Sequence, residues 1–451
     1  MLMSPLSAAQ YLGTTHPPFD LVIFDEASQL PTCRAVGALS RGRSAVIVGD
    51  PNQMPPTSFF MGQPTAEDDT EAEDLESILD DCLAIHMPET HLLWHYRSRH
   101  ESLIAFSNSR FYDGRLLTFP SPGDRESRVR LVHVNGVFDR GHSRSNQAEA
   151  DAVVTELRRR CHDPALQDKS VGVVTFNIHQ QDCIENTLNA ACAADPELDR
   201  WVNRPDEPVF IKNLENVQGD ERDVILFSVG FGPDAGGRIY MNFGPLNREG
   251  GWRRLNVAVS RARCEMVVFS TLHPADIDLG RTASEGVAAL RAFLEYAGGR
   301  PLALTTAQLA RRRGHGQPGG VARAICRALA ANGYETACAV GHSACRVDVG
   351  VVDPAQPDRY LLGILLDGES YTAAANTRDR EIGQTAVLED LGWDLLRVWS
   401  MDWWDNSAKE LRRILDRLDR LQTPLPQPQP APAPLPPSGL ANRLYTLSGL
   451  R

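Results

Sequence analysis

Four consecutive apolar residues, Leu21–Phe24, run directly into two carboxylates, Asp25 and Glu26. A short apolar run that ends in charge is typical of a buried strand of a parallel sheet. In open α/β sheets, ligands bind beyond the carboxyl ends of the strands, so we expect both carboxylates to face a ligand. One carboxylate that holds Mg²⁺ through water, beside one that orients an attacking water, suits nucleotide hydrolysis. Two solvated acids that cap a strand are the alternative.

A second apolar run of the same kind follows, and it too ends at a carboxylate, Asp50. It predicts a second buried parallel strand within Ser44–Gly49. The chain then continues as PNQMPPT, in which the prolines stiffen the loop. The amide side chains of Asn52 and Gln53 are suited to sensing a phosphate group.

Three further strings follow in order: WHYRSR at Trp94–Arg99, ENVQGDERD at Glu215–Asp223 and LNVAVSRAR at Leu255–Arg263. Together with DEASQ and GDPNQMPPT, they resemble motifs II to VI of superfamily 1 helicases of the nonsense-mediated-decay and Okazaki-maturation type. The resemblance implies an α/β fold with two RecA-like lobes. It also implies that ATP and Mg²⁺ bind between the lobes, which move along a nucleic-acid strand as they close.

The resemblance also implies roles for individual residues. An arginine supplied across the cleft would stabilise charge on the leaving γ-phosphoryl group, because a planar guanidinium donates paired hydrogen bonds to phosphate. Asp25 would hold Mg²⁺ through water, and Gln53 would contact the γ-phosphate. The residues with an implied catalytic role are Asp25, Glu26, Gln53, Arg97 and Arg261. Those expected to bind the nucleotide or its surroundings are Asp50, Gln218, Gly219 and Glu221.

The family places a phosphate-cradling loop of the pattern G-x-x-x-x-G-K-[ST] upstream of its DEAS-type strand. No such string occurs in these 451 residues. The backbone N–H groups and lysine of that loop would hold the β- and γ-phosphates. We therefore expect the chain to be the C-terminal portion of a larger or split helicase, with the loop supplied from elsewhere, by a separate chain if the helicase is split. Loss of hydrolysis is the alternative, which would leave a non-catalytic nucleic-acid-binding or assembly protein.

The net charge of −12 argues against a surface coated for non-specific nucleic-acid binding. Nine of the acids lie in residues 67–81, which contain no lysine or arginine, and the remainder carries a net charge of −3. Such a body can still present a basic groove, and we expect it to bind single-stranded nucleic acid, DNA in preference to RNA. The absence of an eighteen-residue apolar run predicts no membrane span. A start without signal-peptide features, and nine cysteines without a CxxC pair, indicate a cytoplasmic protein.

Alternating strand and helix patterns predict parallel sheets. Residues 1–119 are interpreted as the C-terminal part of the first lobe and 120–300 as the complete second lobe. A Gly- and Pro-containing linker is expected at 301–320 and a small α/β domain at 321–421. The proline-rich residues 422–451 predict a disordered, extended tail.

The strings RVDVGVVDP, LLGILLDG, TRDRE and LGWDLLRVWSMDWW resemble the restriction-endonuclease-like domain found at the end of large bacterial helicases, which is akin to very-short-patch repair endonucleases. This resemblance implies that Asp348 and Asp367 would be the remnant of a nuclease metal site, with Leu365 at the position where such nucleases carry a glutamate. Two carboxylates are too few for a firm Mg²⁺ site, so a DNA-docking domain is expected. A Mg²⁺-dependent nuclease is the alternative. The tryptophans of this region are expected to pack in the core: Trp393, Trp399, Trp403 and Trp404.

Overall fold

The structure is a computed structural model of the 451-residue chain. It describes residues 1–13, 16–56, 77–92, 94–300, 319–343, 345–368, 371–372 and 376–422. Most of the acidic run 67–81, most of the predicted linker and almost all of the predicted tail lie outside these residues. The chain divides into two compact units, Met1–Ser400 and Met401–Arg451.

The first sheet pairs β1 (Val22–Phe24) with β2 (Ala45–Ile47) in parallel. One face packs on α1 (Pro5–Tyr11), α2 (Thr32–Leu39) and α3 (Ile78–Ala84), in a core that includes Phe24. The prediction that both strands are fully buried is wrong. Residues of the opposite face, among them Ile23 at 62% exposed, remain accessible because none of the described helices covers that face.

The second sheet is five-stranded and wholly parallel, in the order β3-β7-β6-β4-β5. Its central strands carry continuous apolar runs because helices cover both faces. Its strands are β3 (Val129–His133), β4 (Val171–Thr175), β5 (Phe210–Asn213), β6 (Arg222–Ser228) and β7 (Ala262–Ser270). The associated helices are α4 (Ser102–Phe111), α5 (Gln147–His162), α6 (Ile178–Ala194), α7 (Pro196–Val202), α8 (Trp252–Val259) and α9 (Glu285–Ala297). The α/β fold prediction is confirmed.

The third sheet has the order β11-β10-β9-β8, antiparallel except for the β10–β11 pair. Its strands are β8 (Thr336–Val340), β9 (Val347–Val352), β10 (Tyr360–Leu365) and β11 (Leu395–Arg397). Around it lie α10 (Gly320–Ala331), a π-helical turn at Asp379–Gly383 and α11 (Gln384–Asp390), in a small mixed α/β domain. The chain continues into α12 (Ser400–Gln422), most of which belongs to the second compact unit. Trp393 and Trp403 are buried as expected. Trp399 and Trp404 are 38% and 72% exposed, which corrects the prediction for that pair.

Candidate nucleotide site

Asp25 and Glu26 follow β1, and Asp50 follows β2, so all three carboxylates lie at the same edge of the first sheet. The loops after the two strands are in close contact, because a Cβ on Gly49 would lie 2.9 Å from the backbone nitrogen of Ser28. Glu26 adopts a left-handed conformation with φ of 51°, which is uncommon for a residue with a side chain. Its carboxylate remains exposed at the edge, next to that of Asp25.

Asp50 joins the first sheet to the part of the chain that carries the five-stranded sheet. Its Oδ2 accepts hydrogen bonds from Gln53 Nε2 at 3.0 Å and from the hydroxyl of Tyr112 at 2.6 Å. Asn256, on α8, donates from Nδ2 both to that hydroxyl at 3.1 Å and to the carbonyl of Asn52 at 2.8 Å. The loop after β2 is therefore fixed against α4 and α8 by polar contacts.

Gln218 makes a second connection across the same junction. Its Nε2 lies 3.4 Å from Glu26 Oε2 and 3.4 Å from Gln53 Oε1. Among the described residues, its own Oε1 is shielded from solvent and has no hydrogen-bond partner. Gly219 beside it has φ of +88°, a conformation that favours glycine. A Cβ at Gly219 would meet no described atom within 4 Å, so its backbone is open to approach by a ligand.

Arg97 and Arg261 lie together on the far side of this junction. Arg97 Nε donates to Glu221 Oε2 at 2.7 Å, and Glu221 also lies 3.6 Å from Arg263. Arg261 is only 2% exposed and donates from Nε to the carbonyl of Val257 at 2.8 Å. Burial and the nearby positive charge of Arg97 lower the pKa of Arg261 to about 10, so it is still a cation at neutral pH. The fixed, mutually repelling guanidiniums favour entry of a polyanion.

His95 reports the same positive potential. Burial, followed by the charges of Arg97 and Arg261, lowers the pKa of its imidazole to about 4. Sequence patterns did not single out His95, and they missed the bridging residue Tyr112 described above. Arg253, one of several arginines that precede Arg261, is a second bridging residue and donates from Nε to the carbonyl of Pro51 at 2.9 Å. No local signal could have found these two contacts, because each joins residues far apart along the chain.

The predicted residues therefore come together at one edge of the first sheet, opposite residues of the part of the chain that carries the five-stranded sheet. Gln218 connects Glu26 with Gln53, Arg97 lies beside both Arg261 and Glu221, and Asp50 holds the loop. Asp25 makes only a local hydrogen bond among those described, accepting from the N–H of Glu26 at 2.9 Å. Exposed carboxylates opposite one buried guanidinium, that of Arg261, and one partly buried guanidinium, that of Arg97, are a set of groups that fits a nucleoside triphosphate with Mg²⁺.

The second predicted pair of carboxylates, Asp348 and Asp367, lies in the small domain. Asp348 Oδ2 accepts from the N–H of Leu366 at 2.7 Å. Asp367 Oδ1 accepts from Ser400 at 2.8 Å (N–H) and 2.5 Å (hydroxyl). Within the part of the chain that the structure describes, no group of three or more His, Cys, Asp or Glu side chains could hold a metal ion. These residues do not fit a nuclease metal centre.

Two matches to families of AAA domains cover residues 4–60 and 75–273, and a match to the family REase_MTES_1575 covers residues 322–418. The first two span the candidate nucleotide site, and the third covers most of the small domain. The chain belongs to the superfamily 1 helicases. It carries a restriction-endonuclease-like domain towards its C-terminus.

Curated relatives agree with that assignment. The chain is 34% identical over 310 residues to an uncharacterized ATP-dependent helicase, MG140, of Mycoplasma genitalium, covering 65% of this chain and 27% of the relative. It is 26% identical to the mouse 5′-3′ DNA helicase ZGRF1, covering 56% and 13%, respectively. It is also 26% identical to the DNA replication ATP-dependent helicase/nuclease dna2 of Schizosaccharomyces pombe, covering 59% and 20%. The chain therefore spans about a quarter or less of these relatives. None of its described helices is long and apolar enough to cross a membrane.

Proposed function

We propose that this chain is the C-terminal portion of an ATP-dependent motor that moves along single-stranded nucleic acid, DNA in preference to RNA. The observation that carries the proposal is the Gln218 bridge to Glu26 and Gln53, with Arg97 and Arg261 beside it. A triphosphate at this junction would contact both RecA-like lobes. Its hydrolysis would then change how the lobes sit against each other, which is the elementary step of translocation.

The roles of the residues follow from their positions. Mg²⁺, when bound, neutralises phosphate charge, and Asp25 is placed to hold it through water. Glu26, whose carboxylate is exposed and next in the chain, orients the attacking water. Arg97 and Arg261 stabilise the charge that develops on the γ-phosphoryl group. Gln53 and Gln218 transmit the state of that phosphate between the lobes.

The phosphate-cradling loop is proposed to come from outside these 451 residues, which contain no G-x-x-x-x-G-K-[ST] string. The curated relatives are several times longer than the matched region, so such a segment has room to exist there. The preference for DNA is supported by two relatives whose names state that they act on DNA.

The test is ATP hydrolysis by the chain alone and mixed with a polypeptide that carries the glycine–lysine loop of a superfamily 1 first lobe. We expect Mg²⁺-dependent hydrolysis, stimulated by single-stranded DNA, only in the mixture. Arg261→Ala should lower the rate by about 10³-fold, by analogy with arginine fingers. Arg158→Ala is the matched control, since Arg158 is half-exposed on α5 and pairs only loosely with Asp195.

The proposal is contradicted if the chain binds nucleic acid equally well with and without ATP and no mixture hydrolyses ATP. That outcome would favour the non-catalytic nucleic-acid-binding protein. Binding of a fluorescent ATP analogue, measured in parallel, distinguishes a site that cannot bind nucleotide from one that binds but cannot hydrolyse it.

A further inference from the structure

The restriction-endonuclease-like domain contains a small pocket that is lined in part by Asp348, one of its two predicted metal carboxylates. Its lining includes Arg346, which directly precedes β9, Asp348 in β9 and Arg397 in β11. Arg380 in the π-helical turn and Thr385 in α11 also line it. Arg346 and Asp348 are two residues apart at the start of a strand, so their side chains lie on the same face of the sheet. Among the described lining residues, three guanidiniums outnumber one carboxylate.

The carboxylates of this region are already engaged. Asp367 accepts two hydrogen bonds from Ser400, at the beginning of α12. Asp348 Oδ2 accepts a hydrogen bond from the N–H of Leu366 at 2.7 Å. Leu365, the residue at the third expected ligand position, is apolar and buried. A divalent cation would therefore meet one carboxylate and several positive charges, which is the opposite of what it requires.

Two polar atoms of the pocket point instead to an anion. Among the described residues, Arg380 Nε and Thr385 Oγ1 are shielded from solvent and have no hydrogen-bond partner. Shielded donors without partners are rare in folded proteins and call for an explanation, such as a ligand that accepts from them. Arg380 lies in the π-helical turn, and such turns are frequent at functional sites.

Aromatic rings adjoin the same guanidiniums. Arg397 lies 5.1 Å from the ring centre of Tyr371 and 5.6 Å from that of Trp399. Arg380 lies 5.0 Å from the Tyr371 ring, whose hydroxyl donates to Glu381. The indole of Trp399 is 38% exposed and is available to an incoming group. Stacking on an exposed aromatic ring beside cationic groups is how proteins grip single-stranded nucleic acids.

We propose that this pocket binds a phosphate of a single-stranded nucleic acid, with the adjoining base against Trp399, and does not cut the strand. Arg397 and Arg380 donate hydrogen bonds to the phosphate oxygens, and Thr385 adds a neutral donor. The domain thus anchors a strand end while the motor acts elsewhere on it. The inference rests on the proposed nucleic-acid substrate, but it does not depend on ATP hydrolysis.

The probe is a 5′-phosphorylated thymidine dinucleotide, titrated calorimetrically into the full chain in the presence of EDTA. The unphosphorylated dinucleotide and inorganic phosphate form the other two arms. We expect the phosphorylated dinucleotide to bind most tightly. Arg397→Ala and Arg380→Ala should each weaken its binding about tenfold or more, as expected for loss of hydrogen bonds to a charged group. Arg359→Ala, an exposed arginine of the same domain, should leave the affinity unchanged.

Asp348→Asn separates this proposal from a nuclease because the two predict opposite results. A phosphate pocket gains affinity when the negative charge is removed, whereas a metal nuclease loses Mg²⁺-dependent cutting. The proposal is overturned if the chain cuts a longer strand and Asp348→Asn abolishes that cutting, or if neither arginine variant changes dinucleotide binding. It is also overturned if inorganic phosphate binds as tightly as the dinucleotide. ATP hydrolysis by the pocket variants, measured in the mixture described above, should equal that of the unchanged chain, which keeps this test independent of the motor.

Discussion

Glu101 shows how a single buried carboxyl can tie stability to pH. It is 3% exposed and accepts hydrogen bonds from the hydroxyl of Thr118 and the N–H of His342, the latter at 2.9 Å. Burial raises its pKa to about 7, against the opposing effect of these hydrogen bonds, and the neighbouring Asp124 adds to the rise. His100, which lies 2.8 Å from Asp124, acts in the opposite direction. Glu101 is therefore largely protonated below neutral pH in the folded chain.

The contribution of Glu101 to the stability of the folded chain therefore depends on pH. Because the pKa of Glu101 is higher in the folded than in the unfolded chain, its contribution is full below about pH 4.5 and is lost as the pH rises through about 7. In the unchanged chain, the free energy of unfolding should therefore fall by up to about 3 kcal/mol over this range because of Glu101. In Glu101→Gln, whose side chain stays neutral, this decrease should be absent. Urea unfolding midpoints at a series of pH values measure this difference. Glu126→Gln, at an exposed position, is the control and should follow the unchanged chain.

The two-stranded sheet β1–β2 is covered by described helices on only one of its faces. Parallel strands are normally covered on both faces, yet here Ile23 and Val46 lie side by side on an accessible face. Phe24, the next residue of β1, points to the other face and is buried in the core there. Neighbouring residues of one strand therefore have very different surroundings.

Substitutions of Phe24 and Ile23 should therefore differ strongly in their effect on stability. Phe24→Ala should destabilise the region around β1 by about 3 kcal/mol or more, because it leaves a cavity in a packed core. Ile23→Thr should change stability by less than about 0.5 kcal/mol, since the side chain is already exposed and threonine keeps the β-branched shape. Hydrogen exchange of the β1 and β2 amides measures both. Equal protection loss in the two variants would mean that the Ile23 face is covered in solution.

Sequence patterns located β1 and β2, and strands predicted at 129–134, 171–176, 224–230 and 265–271 coincide with β3, β4, β6 and β7, because a break from apolar run to polar loop is a local signal. They missed β5 and β8, whose short sequences FIKN and TACAV have weak patterns of their own. These strands are held by neighbours in the sheet, and such tertiary effects override local propensity. The polar bridges of the site were missed for a similar reason. Tyr112 reaches Asp50 from 62 residues away along the chain, and nothing in a one-dimensional pattern encodes that distance.

At the scale of the whole molecule, the restriction-endonuclease-like domain is joined directly to the helicase part. Phe119 is buried in the core of the small domain, together with residues such as Val347. The indole N–H of Trp393 donates to the carbonyl of Pro120 at 2.7 Å, and the N–H of Tyr360 donates to that of Pro122 at 2.8 Å. Since the two parts share both apolar contacts and backbone hydrogen bonds, we expect them to unfold together.

Phe119→Ala tests this coupling. Removing the ring should cost about 3–5 kcal/mol of packing, the usual range for a buried phenylalanine, and should loosen the junction. We therefore expect one calorimetric unfolding transition in the unchanged chain and two in the variant, with the small domain melting first. Phe119→Leu, which keeps much of the apolar volume, should retain a single transition. Two transitions in the unchanged chain would show that the domains unfold independently and that Phe119 does not couple their stabilities.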